Sequence, residues 1–265
     1  MRMLLLLKHF LAGFRRQTLN PLMLPTIFSR LVLTGCCLAL LSGCVSRTSR
    51  STRANNLLQP HLLYSYLREH GPENDPDHVF QWNKGVLRIS GQHYGYLATH
   101  QNYSNYVLVT EYKYGEKTWP PRENKARDGG VLVNFVGRDF IWPKSLEAQI
   151  IEGGTGDILV VSGATLTVDG VTKGPRTERF DRPGRNPWQD VKGFRGPNEI
   201  EKPHGQWNRM EVLCAGDRFG IKVNGIKTLE GTNASPTSGK ILVQSEGAEL
   251  FFRKLELHPV SHYNW

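Results

Sequence analysis

Residues 142–157 read WPKSLEAQIIEGGTGD, and the fold turns on how this stretch is laid out. On an extended chain Leu146, Ala148 and Ile150 share one side, while Glu147 and Gln149 share the other. Side chains of a strand alternate between faces, so the pattern predicts a strand with one dry and one wet face. The wet face carries an acid and an amide, where Thr would form a strand more readily. An ordinary solvated face accounts for this pattern, and so does the floor of a polar groove. The exit, Glu152-Gly153-Gly154-Thr155-Gly156-Asp157, then sets two carboxylates in a tight backbone.

Outward from this strand, short segments rich in Val, Ile, Tyr and Phe recur. They are residues 85–90, 94–99, 106–114, 130–135, 145–151, 158–162, 165–171, 206–214, 219–223, 240–244 and 249–257. Each is bounded by Gly, Asn, Asp or Pro, which break strands and make turns. Asp169-Gly170 and Asn224-Gly225 are hairpin dipeptides, since the glycine takes positive φ cheaply. Helical patterns do not recur between the strands, which argues against βαβ units. The expectation is an all-β domain over residues 79–260, built as two packed antiparallel sheets. Residues 57–70 are expected to form a short helix on the imperfect stripe Leu58, Leu62, Tyr64 and Leu67, closed by Gly71-Pro72. Residues 116–128 and 172–204 are charged, rich in Pro or Gly, and long for bare connections. Each carries a Trp (Trp119, Trp188), and the second holds Arg176, Arg179, Arg182, Arg185 and Arg195. Both are expected to be ordered walls around a site.

The N-terminus has a different character. The first 30 residues hold Arg2, Lys8, Arg15, Arg16 and Arg30 and no acid, and an apolar run over 31–41 leads to Leu41-Ser42-Gly43-Cys44. A basic region, an apolar run and a small-residue cleavage site describe an export signal over residues 1–43. Starting at Met23 would give it ordinary length. Cysteine after Leu-Ser-Gly resembles the bacterial lipobox, which implies a lipid on Cys44, a lipid-anchored protein and, with Val45 next, the periplasmic side of the outer membrane. Residues 44–78 then comprise a polar tether and the short helix.

Removing the leader leaves 28 basic against 24 acidic residues, a mild surplus that excludes the footprint of a nucleic-acid binder. Of four cysteines only Cys214 lies beyond Cys44, so there is no disulfide framework. Cys214 alternates with Met210 and Val212 and is expected to be a small buried hydrophobe. The histidines have no metal-ligand spacing, and no metal site or cofactor is predicted from them. Calcium held by Asp, Glu and carbonyl oxygens is compatible with the composition. Oligomeric state has no signature here.

Strand parity gathers the polar residues. Gln244 and Glu246 fall opposite Ile241 and Val243, and Asn134 falls opposite Val131 and Val133. If these wet faces belong to one sheet, it presents Glu147, Gln149, Asn134, Gln244 and Glu246 together. Carboxylates and amides beside Trp and Tyr match what sugars need, namely hydroxyl partners and flat apolar surface. Paired carboxylates can also do acid–base chemistry at a glycosidic bond.

Several ordered motifs carry a resemblance. They are Gly95-Tyr96-Leu97-Ala98-Thr99, Arg127-Asp128-Gly129-Gly130, Trp142-Pro143 with Leu146-Glu147-Ala148-Gln149, Lys202-Pro203-His204-Gly205-Gln206-Trp207-Asn208, and Gln244-Ser245-Glu246-Gly247-Ala248-Glu249. Together they resemble the 3-keto-disaccharide hydrolase family over residues 79–259. The resemblance implies a concanavalin A-like lectin/glucanase jelly roll and cleavage of a modified, 3-keto disaccharide or glucoside in the cell envelope. It places Glu147 and its neighbours in the groove. On this reading Glu147 or Glu246 is the base, and Arg127 or Lys125 steadies the developing enolate. Gln149, Asn134, Asp128, Trp142, Glu152, Asp157 and Gln244 line the substrate. The family often has Ser where Gly129 stands and His where Asn134 stands. Those departures keep a second reading open, a carbohydrate-binding protein without turnover.

Overall fold

The computed structural model describes residues 55–265. The expected leader, the lipid-bearing Cys44 and most of the tether lie outside the described residues. Within them the chain forms two antiparallel sheets. The larger runs Val171–Lys173, Thr165–Val168, Ile226–Ser235, Arg218–Val223, Asn208–Ala215, Tyr106–Thr118, Ala248–Pro259, Val86–Ile89 and Phe80–Asn83, with Asn55–Asn56 also on Ala248–Pro259. The smaller runs Glu178–Phe180, Ile158–Val161, Ser145–Ile151, Asp128–Phe135, Lys240–Ser245, Gly95–Thr99, Leu63–Leu67 and Gly71–Pro72. The only helical pieces among the described residues are the 3₁₀ turns Pro60–Leu62 and Val260–His262. None is long and apolar enough to cross a membrane.

Ser145–Ile151 is the strand that the alternation required. Leu146, Ala148 and Ile150 are fully buried and join Val131, Val133 and Val243 of the same sheet. These meet Leu108, Met210, Val212, Ile221, Leu250 and Phe252 from the larger sheet. Truncating a core leucine of this kind to Ala costs about 2–5 kcal/mol, because lost burial and the residual cavity add. Cys214 is buried as expected. The opposite face of the smaller sheet is not simply wet: Tyr64, Tyr96, Leu132, Phe135 and Leu242 make a second apolar cluster there, against which Trp142 packs.

Two expectations fail because strand pairing overrides the local pattern. The short helix over 57–70 is instead a 3₁₀ turn followed by the strand Leu63–Leu67. Its residues pair with Gly95–Thr99, from Leu63 opposite Thr99 to Leu67 opposite Gly95. Leu63 and Leu67 reach the inter-sheet core while Tyr64 joins the outer cluster, so tertiary pairing imposed period two on a stripe that reads as helical. Strands upstream of Val79 are thus part of the sheets. Asn134 is the other failure. A register shift between Asp128–Phe135 and Lys240–Ser245 inserts one extra residue there, and Asn134 adopts φ 57°. Asn tolerates this left-handed conformation. The bulge takes Asn134 off the alternation, and its amide donates to Pro236 O at 2.9 Å.

Candidate active site

Where the smaller sheet turns its polar side outward, a cleft of about 110 Å³ opens. Its floor comes from three neighbouring strands and the turn that crosses to the larger sheet: Asp128, Glu147 with Gln149, Gln244, and Glu246 just beyond. Trp142, Leu159 and Val161 add apolar wall, and Arg179 of the edge strand Glu178–Phe180 and Thr177 just before it complete the lining. Sequence parity therefore assembled Glu147, Gln149, Gln244 and Glu246 correctly, and Asp128 and Trp142 join them.

Register explains why Glu147 is unusual. Its cross-strand neighbours are Leu132 on one side and Leu159 on the other, and the residue is buried. Loss of solvent pushes its carboxyl up to about 8, and the nearby Asp128 adds to the shift, against the opposing pull of Arg179 and Gln244. At neutral pH Glu147 therefore holds its proton. Gly130 makes room for this arrangement: a Cβ there would stand 2.3 Å from Gln244 Oε1 and 2.5 Å from Glu147 Oε1.

Asp128 sits among donors. Gln149 Nε2 donates to its Oδ1 at 2.6 Å, Gly129 N to the same oxygen at 3.0 Å, and Arg122 Nη2 lies 3.2 Å from Oδ2. Burial still raises its carboxyl to about 6, with Arg122 and Arg179 pulling it back. Glu246 is pushed well above the usual carboxylate range, first by burial and then by the charges of Asp128 and Glu147. Near neutrality one of the three acids, Asp128, is thus the natural carrier of negative charge. The cleft then holds a carboxylate, two carboxylic acids and the guanidinium of Arg179. Such a site can take a proton at one point and give one at another.

The other residues expected in the site are elsewhere. Arg127 Nη1 binds Glu152 Oε1 at 2.6 Å, and Glu152 Oε2 accepts from Arg127 N at 2.9 Å and Gly193 N at 2.8 Å. Asp157 Oδ2 lies 2.8 Å from Arg185 Nε, and its Oδ1 accepts from Arg182 N at 2.8 Å. Lys125 is exposed and 3.6 Å from Asp190. These groups fasten the two long loops to the smaller sheet, which makes the loops ordered walls as expected. Trp188 Nε1 donates to Glu152 O at 2.9 Å, and Trp119 Nε1 to Ser90 O at 2.9 Å. The cations that do face the cleft acids are Arg122, from the first long loop, and Arg179, from the strand Glu178–Phe180 at the edge of the smaller sheet, and the sequence singles out neither for that role. Arg179 stood among five loop arginines with nothing local to mark it. Leu159 and Val161 could have been found, because they share a parity in Ile158–Val161.

The family departures also have a location. At Gly129 a Cβ would meet Leu250 Cδ1 of the larger sheet at 2.4 Å, so that position faces the core and not the cleft. A further cluster escaped the sequence. His70, Asp77 and His93, from separate loops, bring one ligand-type atom each within 4.8 Å of the others.

The family described as the 3-keto-alpha-glucoside-1,2-lyase-like domain matches residues 66–258. A protein from Parabacteroides distasonis assigned as a glycosyl hydrolase superposes with a TM-score of 0.50 at 18% identity, covering 78% of this chain and 100% of its own. A second from the same organism gives 0.48 at 18% identity, with 76% and 89% covered. The carbohydrate-binding module CBM66 from Bacillus subtilis gives 0.45 at 8% identity, with 68% and 90% covered. No curated protein matches the chain.

Proposed function

Because the chain belongs to the family of 3-keto-alpha-glucoside-1,2-lyase-like domains, we propose that its cleft cleaves the glycosidic bond of a 3-keto glucoside or disaccharide. The observation that carries this is the convergence of Asp128, Glu147 and Glu246 in one cleft, with Glu147 kept protonated between Leu132 and Leu159.

The chemistry follows from the keto group. A C3 carbonyl acidifies the C2 hydrogen, so a carboxylate can take that proton while the electrons pass into an enolate. Asp128 is the base in this reading, since it alone of the three is ionised near neutrality. Arg179 faces the developing negative charge. The enolate then re-forms the ketone, the C1–C2 double bond closes, and the C1–O bond breaks. Glu147 or Glu246 donates a proton to the departing oxygen. Addition of water across the double bond, hydroxyl to C1 and proton to C2, completes a net hydrolysis. Trp142 offers the apolar face on which a sugar ring packs. Direct hydrolysis by two of the carboxyl groups is the variant that uses the same residues.

Incubation with 3-keto glucosides and with unmodified glucans tests the proposal. Release of the aglycone from the keto series alone is the expected result. Tight binding of both series with no bond cleaved would favour the carbohydrate-binding reading. The leader reading belongs to the proposal as well: a lipid-anchored envelope protein, with Cys44 as the modified residue on the periplasmic side of the outer membrane. Mass spectrometry of the mature N-terminus tests it, and an unmodified Cys44 still joined to Gly43 would remove it. Calcium needs an oxygen-rich cage, and the proposed steps assign it no role.

A further inference from the structure

One edge of the cleft is aromatic. Tyr94 stands edge-on to Trp142 with ring centroids 6.2 Å apart, and the guanidinium of Arg68 lies 4.5 Å from the Tyr94 ring centre. The residue before Tyr94 is His93, which belongs to the cluster with His70 and Asp77. Three loops supply these side chains: His70 follows the strand Leu63–Leu67, Asp77 precedes Phe80–Asn83, and His93 precedes Gly95–Thr99.

The distances are those of a ligand set. His93 Nε2 lies 2.8 Å from Asp77 Oδ2, and His70 Nε2 lies 3.6 Å from the same oxygen. Nitrogen and oxygen ligands bind zinc at about 2.0–2.1 Å, so in a tetrahedron they stand roughly 3.3 Å from one another. The observed separations bracket that value. An ion pair between His93 and Asp77 accounts for one contact, but it leaves His70 unexplained. Its Nε2 is buried and has no hydrogen-bond partner, although it is aimed at the shared carboxylate. The far nitrogen of His93, Nδ1, is 3.7 Å from Glu69 Oε2. A carboxylate behind a ligating histidine fixes its tautomer and raises its basicity, the usual outer support of such sites. Two imidazoles and one carboxylate suit a borderline divalent transition ion and do not suit calcium or magnesium, which take oxygen.

We propose that His70, Asp77 and His93 bind one divalent ion of the zinc class, with water completing the shell and Glu69 behind His93. The ion ties three loops together and thereby sets the position of Tyr94 at the edge of the cleft. Its role is structural, and it stands or falls independently of the sugar chemistry.

Titration of the tag-free, chelator-stripped full chain with zinc chloride tests this. One saturable equivalent is expected, with a rise in melting temperature and slower amide exchange at residues 68–78 and 91–94. His70→Ala and Asp77→Asn should each weaken binding by roughly 100-fold or more, and Glu69→Gln by about 10-fold. His258→Ala, outside the cluster, should leave it unchanged. Cobalt(II) on the parent protein needs no variant, and visible bands of tetrahedral nitrogen–oxygen ligation are expected. Absence of saturable zinc uptake, absence of those bands, or uptake that survives His70→Ala would overturn the proposal. Protection appearing only away from the two named stretches would do the same.

Discussion

Glu147 and Glu152 are five residues apart in one stretch, and they do opposite things. Glu152 is buried with a guanidinium against it and two backbone N–H groups donating to it. Glu147 is equally buried, but leucines flank it across both neighbouring strands, and its acid is driven up to about 8. Asp157 stands between the two: Arg185 lies 2.8 Å away and it holds a loop down, yet burial still raises its acid to about 6. Residue type does not distinguish structural from reactive carboxylates here. Between Glu147 and Glu152 the supply of compensating charge does, and for Glu147 the strand register decides that supply.

The contrast breaks most sharply at Glu147. Glu147→Gln keeps shape and hydrogen-bonding reach but cannot donate a proton as an acid. Turnover of a 3-keto glucoside should fall by roughly 10²–10⁴-fold. Stability should hold at low pH and improve at high pH. The sign follows from linkage: a carboxyl raised from 4.5 to about 8 on folding binds protons more tightly in the native state. Its contribution is fully favourable below 4.5 and is lost as pH rises through about 8. Thermal melts of parent and variant across that window check it.

On the other side of the comparison, Arg127→Met should leave Glu152 buried without its cation. Losing one partner of a buried pair costs about 3–5 kcal/mol. Denaturant unfolding should show that loss, while the folded fraction retains its specific activity. A variant of ordinary stability but without turnover would return Arg127 to the catalytic role that the sequence motifs implied.

The pH profile sharpens the division within the cleft. Asp128 must be ionised to act as base, so the rate should climb through about 6. Glu147 must be protonated to act as acid, so the rate should fall through about 8. In Glu147→Gln the limb near 8 should disappear from the residual rate. The smallest effect belongs to Lys125→Ala, since its exposed pair with Asp190 is worth about 0–1 kcal/mol. Neither melting temperature nor turnover should change measurably.

What the sequence disclosed and what it withheld divide along similar lines. Alternation over residues 145–151 disclosed a strand, its buried face and its polar face, because period two is a local property. Asn224-Gly225 disclosed a hairpin for the same reason. Asn134 was misplaced because a bulge is a relation between two strands and leaves no mark on one. The strand Leu63–Leu67 reads as helix in the sequence because its long pairing partner, Gly95–Thr99, lies some thirty residues away. Arg122 and the His70–Asp77–His93 cluster are products of loop geometry, and Arg179 is placed by pairing with Leu159 across the edge of the smaller sheet, so no spacing in the chain announces them. Arg127 is a charged residue in a motif and Lys125 a charged residue just before it, and only their partners show that both are already spoken for.

The most direct test of the account follows the C2 hydrogen. A 3-keto glucoside is turned over in deuterium oxide, and the product is analysed at once by mass spectrometry and NMR against an enzyme-free blank. Proton abstraction by the cleft followed by addition of water predicts a keto sugar carrying one deuterium on C2, in excess of the blank. A cleaved product with no carbon-bound deuterium above the blank, together with no slowing when the substrate carries deuterium on C2, would contradict it, because the glycosidic bond would then have been broken without the cleft ever removing that proton.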